Sequence, residues 1–198
     1  IVFVGNVMVD TLLSLRATAQ ALGTPAKHGL AGKPYAFCTF HRPSNVDHAG
    51  TLQEILGALD DLAGRMPVIF AIHPRTRARI GEFGLQHLAQ RVTLLDPLSY
   101  LDTVSLVDQA TLVLTDSGGL QEETTVLGVP CLTARPNTER PVTITEGTNR
   151  LIPSERAGIL AAVEQVLAQR ASGHFKPGRP EGWDGRAGER IVAALAGD

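Results

Sequence analysis

Short apolar runs alternate along the chain with amphipathic stretches of helical length. The apolar runs lack the polar–apolar alternation of strands that face water on one side, so they predict strands that are buried on both faces. Such strands alternating with helices predict an α/β fold with a Rossmann-like, doubly wound parallel sheet. The predicted strands lie at residues 2–4, 35–40, 68–72, 92–95, 112–114 and 131–133.

Amphipathic periodicity and capping residues predict the helices between these strands. Ser99 and Ser154 are the predicted N-caps of two of them, and residues 170–182 are rich enough in Gly and Pro to predict a connector. The predicted helices cover residues 10–22, 51–66, 75–83, 99–108, a segment from 118 to about 128, 154–169 and 184–195.

Composition excludes several classes of protein. A hydrophobic content of 43% and a charged content of 19% are ordinary for a globular domain. The net charge of -2 gives no basic surface for nucleic acid, and no apolar stretch is long enough to span a bilayer. Cys38 and Cys131 lie in apolar runs, which predicts buried free thiols in a cytoplasmic protein. The apolar run at Ile1 suggests a piece of a larger protein.

The run TDSGGLQEE from residue 115 directly follows a predicted strand and opens a predicted helix. The first N–H groups of a helix have no intrahelical partner, and the helix dipole favours negative charge there. Ser117 adds a hydroxyl donor, and Gly118 and Gly119 let a phosphate approach the backbone closely. The run therefore predicts a nucleotide diphosphate site, with a plain strand-to-helix turn capped by Ser117 as the alternative. Neither a GxGxxG motif nor a P-loop is present, which argues against nicotinamide, flavin and P-loop nucleotidase sites.

Two histidines also follow predicted strands. His41 stands beside Arg42, and a titratable donor next to a fixed guanidinium fork suits a phosphate. The alternative is that Arg42 pairs with a surface carboxylate and His41 caps the loop. His73 repeats the arrangement one strand later, with a loop histidine in front of a solvated basic helix as the alternative. Since parallel strands end at one edge of the sheet, both histidines are expected to converge with Asp116 and Ser117.

Arg140 lies in the long polar loop after the last predicted strand, and we predict that it clamps a phosphate. The alternative is a surface ion pair with Glu139 or Glu146, which would contribute little. Glu122 and Glu123 are adjacent in a predicted helix, so they point in different directions. At most one of them is expected to face the site, where a carboxylate would accept hydrogen bonds from ribose hydroxyls.

Four segments resemble the signature of the non-hydrolysing UDP-N-acetylglucosamine (UDP-GlcNAc) 2-epimerases. They read VGNVMVDTLL from residue 4, TFHRPSNVD from residue 39, TDSGGLQEETTVLGVPCLTARPNTERPVTITEGTNRL from residue 115 and WDGRAGERIVAAL from residue 183. The resemblance covers nearly the whole chain and corresponds to the C-terminal half of such an enzyme. It implies a GT-B-type fold of two Rossmann-like domains, in which residues 1–182 bind UDP and residues 183–198 pack back on the N-terminal domain.

The resemblance implies an isomerase that converts UDP-GlcNAc to UDP-ManNAc for cell-envelope polysaccharides. UDP leaves by elimination, which forms a 2-acetamidoglucal, and adds back after protonation of carbon 2 on the opposite face. The family's proton-moving carboxylates lie in the N-terminal domain, so this chain alone is expected to bind UDP weakly and not to epimerise. No cofactor and no metal are expected, nor any nucleic acid or membrane partner, and the full-length enzyme is expected to be a homodimer.

The motif match carries family roles onto the residues of the nucleotide run and the following loop. It implies that Ser117, Gly118 and Gly119 bind phosphate. It also implies that Glu123 accepts hydrogen bonds from the ribose and that Arg140 reaches the nucleotide.

The HRPSN motif carries a further role and one departure. The resemblance implies that His41 is the catalytic residue of this half, stabilising the departing UDP, with Arg42 and His73 as substrate-binding residues. Many members carry HRREN, part of which binds a second UDP-GlcNAc as an activator together with a histidine like His73. Ser44 replaces the acidic position here, so the resemblance does not extend to that activation.

Three other functions remain open from the sequence. The first is a 2-epimerase for a modified sugar nucleotide such as UDP-diacetamido-glucuronate. The second is a GT-B glycosyltransferase, and the third is a non-enzymatic UDP-sugar sensor. The residues that would face the sugar lie mostly in the other domain of this fold. The sequence of this chain therefore does not discriminate among the three functions.

Overall fold

Six parallel strands form one sheet in the computed structural model, which describes residues 1–197. The strands are β1 (Ala36–Thr39), β2 (Val68–Ala71), β3 (Thr93–Leu95), β4 (Leu112–Thr115), β5 (Cys131–Ala134) and β6 (Asn149–Ile152). Their order in the sheet is β3-β2-β1-β4-β5-β6, and every neighbouring pair is parallel. This is the Rossmann strand order, so the predicted fold class is confirmed.

Helices connect the strands and cover both faces of the sheet. They are α1 (Val7–Ala21), α2 (Thr24–Lys27), α3 (Pro43–Val46), α4 (Ala49–Ala63), α5 (Pro74–Glu82), α6 (Tyr100–Asp108), α7 (Gly118–Leu127), α8 (Val142–Thr145), α9 (Arg156–Ala171) and α10 (Ala187–Ala196). The predicted helices agree with these bounds to within a few residues, and Ser99 caps α6 as predicted, accepting the Asp102 N–H.

Two hydrophobic clusters sandwich the sheet. Alternate side chains along β1 point to opposite faces, so Cys38 enters one cluster and Phe37 the other. Helices α4 and α9 pack on the first face, and α1, α6 and α7 pack on the second. Phe37 and Cys38 are both fully buried, as expected for a strand that has an apolar layer on each side.

The predicted strand at residues 2–4 is wrong. These residues form no helix or strand, and Ile1, Val2 and Phe3 are exposed. A strand needs a neighbour to satisfy its backbone groups, and the described sheet ends at β3 on one side and β6 on the other. Apolar composition alone therefore did not suffice to predict a strand here.

Two further differences lie near β6. The long polar loop that was predicted after the strand at 131–133 contains the short helix α8. Strand β6 was not predicted because it begins with Asn149 and Arg150. The predicted cap of α9 is also wrong, because Glu155 occupies the N-cap position. The Ser154 hydroxyl instead donates to Oδ1 of Asn45 at 2.9 Å, beyond the carboxyl ends of the strands.

The C-terminal segment has a connector followed by α10, which begins at Ala187. The backbone N–H groups of Ala187 and Gly188 donate to the Asp10 carboxylate at 3.1 and 2.7 Å. An acidic side chain on α1 therefore satisfies the free N–H groups at the start of α10. Asp198, the last residue of the predicted 183–198 segment, lies outside the described residues.

Both cysteines are buried and free, as predicted. Burial in an apolar layer raises the pKa of the Cys131 thiol to about 11 and also raises the pKa of the Cys38 thiol. Both thiols are therefore held protonated. Within residues 1–197, no helix combines the length and the apolar character that crossing a membrane requires.

Candidate functional site

A cavity of about 440 Å³ opens at the carboxyl ends of the strands, where the strand order reverses between β1 and β4. The connections after these two strands run to opposite sides of the sheet, which leaves a crevice between them. Five of the predicted site residues line the cavity, namely His41, His73, Ser117, Gly119 and Glu123. The other three, Arg42, Gly118 and Arg140, do not line it.

Asp116 ties the two loops of the crevice together. It directly follows β4, is fully buried, and its Oδ2 accepts the N–H groups of His41 at 3.0 Å and Arg42 at 2.9 Å. The Asn45 amide donates to the same oxygen at 3.0 Å. Burial raises the pKa of Asp116, but the hydrogen bonds from His41, Asn45 and Arg42 outweigh it and the net shift is downward. The group is therefore a carboxylate.

His41 is oriented by this carboxylate. Its Nδ1 lies 3.0 Å from Oδ1 of Asp116, and its ring centroid is 5.6 Å from that of His73. A carboxylate beside Nδ1 fixes the imidazole and leaves Nε2 as the nitrogen available to a ligand. The N-cap of α3 is Arg42, without a side-chain cap bond, so the His41 side chain does not cap this helix.

His73 caps a helix and also lies at the cavity. Its Nδ1 accepts the backbone N–H of Arg75 at 3.1 Å, which caps α5. The same side chain lines the cavity. The capping bond uses Nδ1, so a contact with a ligand in the cavity would fall to Nε2.

The turn that opens α7 leaves its polar groups free for a ligand. Ser117 occupies the N-cap position, yet its side chain makes no cap hydrogen bond. A Cβ added to Gly118 would have no neighbouring atom of the described residues within 4 Å. A Cβ added to Gly119 would contact only the Ser117 hydroxyl, at 4.0 Å. Neither glycine has a positive φ. Packing and backbone conformation therefore do not require glycine at either position, whereas close approach of a ligand would.

The two adjacent glutamates have different surroundings. Glu123 lines the cavity, where burial and the nearby charge of Glu122 raise its pKa against the lowering effect of a Tyr100 hydrogen bond. Burial, with the Glu123 charge, raises the pKa of Tyr100 to about 12. Glu122 points away and accepts the Asn6 amide at 2.9 Å. The sequence analysis missed Tyr100. Its only signal was its position in the first turn of α6, the helix that follows β3.

Arg140 does not pair with either predicted acidic neighbour. Its Nε lies 3.0 Å from Oε1 of Glu122, beside the second turn of α7. Glu139 instead forms a two-pronged pair with Arg135, at 2.7 and 2.8 Å. That pair, with a smaller contribution from the charge of Arg42, lowers the pKa of Glu139 to about 2.

Arg42 has an unsatisfied buried atom. Its Nε is inaccessible to solvent and has no hydrogen-bond partner among the described residues. The charge of Arg42 also acts on Glu139, an exposed carboxylate, so the alternative of an interaction with a surface carboxylate stays open. Sequence reasoning also missed Gln121 and Asn149, two buried polar residues whose only signal was a polar side chain in an otherwise buried element.

No group of three or more His, Cys, Asp or Glu side chains among residues 1–197 is arranged to hold a metal ion. At the cavity, His41 is bonded to the Asp116 carboxylate, and Glu123 to the Tyr100 hydroxyl.

Comparison with known proteins identifies the family. The family model described as UDP-N-acetylglucosamine 2-epimerase matches residues 1–196. The UDP-N-acetylglucosamine 2-epimerase of Methanocaldococcus jannaschii is 36% identical over 200 residues, covering 97% of this chain and 53% of that protein. The UDP-2,3-diacetamido-2,3-dideoxy-D-glucuronate 2-epimerase of Pseudomonas aeruginosa is 35% identical, covering 99% of this chain and 52% of that protein.

A solved structure agrees with this result. The crystal structure of the M. jannaschii UDP-GlcNAc 2-epimerase in complex with UDP-GlcNAc and UDP matches with a TM-score of 0.83 and 34% identity. The match covers 100% of this chain and 55% of that one, so the chain spans about half the length of the relatives that it matches. With its parallel sheet, its crevice at the switch point and a family match over residues 1–196, the chain belongs to the UDP-N-acetylglucosamine 2-epimerase family.

Proposed function

We propose that this chain is the UDP-binding half of a UDP-GlcNAc 2-epimerase, an isomerase that interconverts UDP-GlcNAc and UDP-ManNAc by elimination and re-addition of UDP. The observation that carries the proposal is the opening of α7, where the Ser117 hydroxyl and the space before two glycines are left free at a cavity of about 440 Å³. That volume suits a small-molecule ligand. The family match and the M. jannaschii complex with UDP-GlcNAc and UDP support it.

In this proposal the diphosphate lies at the N-terminus of α7. The free N–H groups of Gly118 and Gly119 and the Ser117 hydroxyl donate to its oxygens, in the direction that the helix dipole favours. Glu123 accepts hydrogen bonds from the ribose hydroxyls, a role supported by its place on the cavity wall. Arg140 exchanges its contact with Glu122 for the nucleotide, which is inexpensive because its side chain is 44% exposed in that pair.

His41 is the proposed catalytic residue of this half. Elimination breaks the bond between carbon 1 and the diphosphate, so negative charge develops on the departing oxygen. An imidazole that donates from Nε2 would stabilise that charge, and Asp116 would stabilise the imidazolium form at 3.0 Å from Nδ1. Arg42 and His73 are proposed substrate-binding residues, since each lies in the same loop cluster as His41.

The proposal includes a second domain that faces the cavity. It is supported by the exposed apolar side chains of α10, Val192 at 67% and Leu195 at 84%, which would pack on that domain. Residues 1–182 then form the UDP-binding unit, and the helix of residues 183–198 returns to the other domain. The complete enzyme is proposed to be a cytoplasmic homodimer, which sedimentation of the complete protein would test.

Loss of the proposed phosphate contacts should weaken UDP binding. We expect Ser117→Ala to cost about 1 kcal/mol and Arg140→Ala about 2 kcal/mol of binding free energy, because a neutral hydroxyl donor contributes less than a charged one. Calorimetric titration of the 198-residue chain with UDP measures both. The matched controls are Ser14→Ala and Arg186→Ala, which remove exposed side chains far from the cavity. Unchanged affinity in both site variants would refute the proposal.

Proton exchange at carbon 2 should be absent when the 198-residue chain acts alone. Acid–base catalysis needs a group within reach of carbon 2. Within residues 1–197, the carboxylate that lines the cavity is Glu123, which is proposed for the ribose. The nearby Asp116 is buried and accepts hydrogen bonds from His41, Arg42 and Asn45. Incubation with UDP-GlcNAc in deuterated water, followed by NMR, tests this. Deuterium at carbon 2 would show that this half carries the proton-moving groups.

A second candidate substrate is UDP-2,3-diacetamido-2,3-dideoxy-D-glucuronate. It is favoured by the P. aeruginosa relative of that name, which is 35% identical, against 36% for the M. jannaschii enzyme. Identities this similar do not separate the two substrates. Assay of the complete protein with each sugar nucleotide would, because the preferred substrate should show the larger kcat/KM.

A further inference from the structure

A buried hydrogen-bond network joins the α7 turn to the loop that carries Arg140. Gln121 lies one turn after Ser117, is fully buried, and donates from Nε2 to the Ser117 carbonyl at 3.2 Å. Its Oε1 accepts the Thr138 hydroxyl at 2.5 Å and the Asn149 amide at 3.0 Å. One side chain therefore contacts the proposed phosphate turn, the Arg140 loop and strand β6.

The same network holds both backbone polar groups of Arg140. The Arg140 N–H donates to the Thr138 hydroxyl at 2.9 Å, and the Arg140 carbonyl accepts the Thr143 hydroxyl at 2.7 Å. The Asn149 amide donates to the Thr143 hydroxyl at 3.1 Å and also to Gln121. Two independent routes therefore connect the backbone of Arg140 with Oε1 of Gln121.

The donors and acceptors of the network match at every step. Each threonine hydroxyl donates once and accepts once, and the remaining oxygen of Asn149, Oδ1, accepts the Thr133 hydroxyl at 2.6 Å. The network is buried at Gln121 and Asn149, and it reaches the surface at the Arg140 N–H. Satisfied hydrogen bonds between buried polar groups are rigid and specify one arrangement. The charged Arg140 side chain needs such support, because a long side chain on a loop is otherwise free to leave its ligand.

We propose that Gln121, Thr138, Asn149 and Thr143 are positioning residues that hold Arg140 and the Ser117 turn in register on one diphosphate. This inference rests on the proposed UDP site. These four residues would not contact the ligand themselves. They would set the distance between Arg140 and the Ser117 turn, which would both contact the diphosphate. The contribution should therefore appear in the recognition of the phosphates and not in that of the nucleoside.

Thr138→Val tests the inference, because it removes the shared hydroxyl while keeping the shape of a half-buried loop residue. We expect it to weaken UDP binding by about 3- to 10-fold, the size of one or two hydrogen bonds. Binding of uridine should be unchanged. Thr138→Ser restores the hydroxyl and should bind UDP like the wild type. Thr145→Val is the matched control, since Thr145 is an exposed threonine outside the network.

Hydrogen exchange of the Arg140 amide gives a second readout that needs no ligand. The amide should be protected in the wild type and in Thr138→Ser, and it should exchange faster in Thr138→Val. Two results would overturn the inference: an unprotected Arg140 amide in the wild type, or wild-type UDP affinity in Thr138→Val. If the second result occurs while Ser117→Ala and Arg140→Ala weaken binding, the proposed UDP site stands and only the positioning role fails.

Discussion

Asp116→Ala should destabilise the fold by about 3–5 kcal/mol, the cost of removing one member of a buried, hydrogen-bonded charged group. The substitution leaves the N–H groups of His41 and Arg42 and the Asn45 amide without the acceptor that the fully buried Asp116 supplies. Chemical denaturation of the variant and of the wild type measures the difference. Asp116→Asn keeps the shape and one acceptor oxygen, so its loss should be smaller.

Asp96→Ala is the matched control for this substitution. Asp96 also directly follows a strand, β3, but its side chain is 87% exposed in its pair with Arg77. We expect a change within about 0.5 kcal/mol, as for most surface substitutions. An equal loss of stability in the Asp96 and Asp116 variants would contradict the role given to the buried carboxylate.

The stability due to Asp116 should also depend on pH. Its pKa is lowered in the folded protein from the ordinary 3.8, so its contribution is present above that value and is lost as the pH falls through the lower folded pKa. Glu123 acts in the opposite direction, since its raised pKa makes its contribution largest below 4.5 and reduces it as the pH rises. Asp116→Asn should therefore flatten the acid limb of the stability profile below about pH 4.

Gly119→Ala should separate folding from binding. Alanine should raise the free energy of unfolding by about 0.4–1 kcal/mol, since the backbone is compatible with it and no protein atom lies closer than 4.0 Å to the new Cβ. The same methyl group would occupy the space through which a phosphate approaches the α7 backbone. We expect UDP binding to weaken by about 1–3 kcal/mol, the usual cost of forcing an extra methyl group into a packed contact.

Gly50→Ala is the control for both measurements. Gly50 is the second residue of α4, as Gly119 is of α7, and a Cβ there would also meet nothing within 4 Å. It should raise stability by a similar amount and leave UDP affinity unchanged. If Gly119→Ala binds UDP as tightly as the wild type, the diphosphate does not lie against the α7 turn.

The sequence predicted the central strands of the sheet better than the edge strand β6 and the N-terminal residues. Buried strands such as β1 and β4 are apolar except for a final threonine, so composition alone located them. Strand β6 begins with Asn149 and Arg150 and was missed, because its pairing with β5 compensates for its polar side chains. The predicted strand at residues 2–4 failed for the converse reason, since apolar residues without a neighbouring strand form no sheet.

The candidate site divides in the same way. The chemistry proposed for it was inferred from local order along the chain, because the strand, Ser117, two glycines and a helix follow one another within a few residues. The pairing of Arg140 with Glu122 could not be inferred in this way, since it depends on where a long loop returns to α7. The roles of Gln121 and Thr138 were equally hidden, because a polar residue in a sequence does not reveal its distant partner.

By itself, the sequence determined the parallel α/β fold and the resemblance to a family, and it supplied the prediction of an anion-binding turn at the start of α7. All three depend on local order and periodicity along the chain. Only the tertiary structure decided that Asp116 orients His41, that Glu123 lines the cavity while Glu122 pairs with Arg140, and that a buried network supports the Arg140 loop. The physical reason is that hydrogen bonds between buried polar groups join residues far apart in the chain, and their partners are chosen by the packing of the elements that carry them.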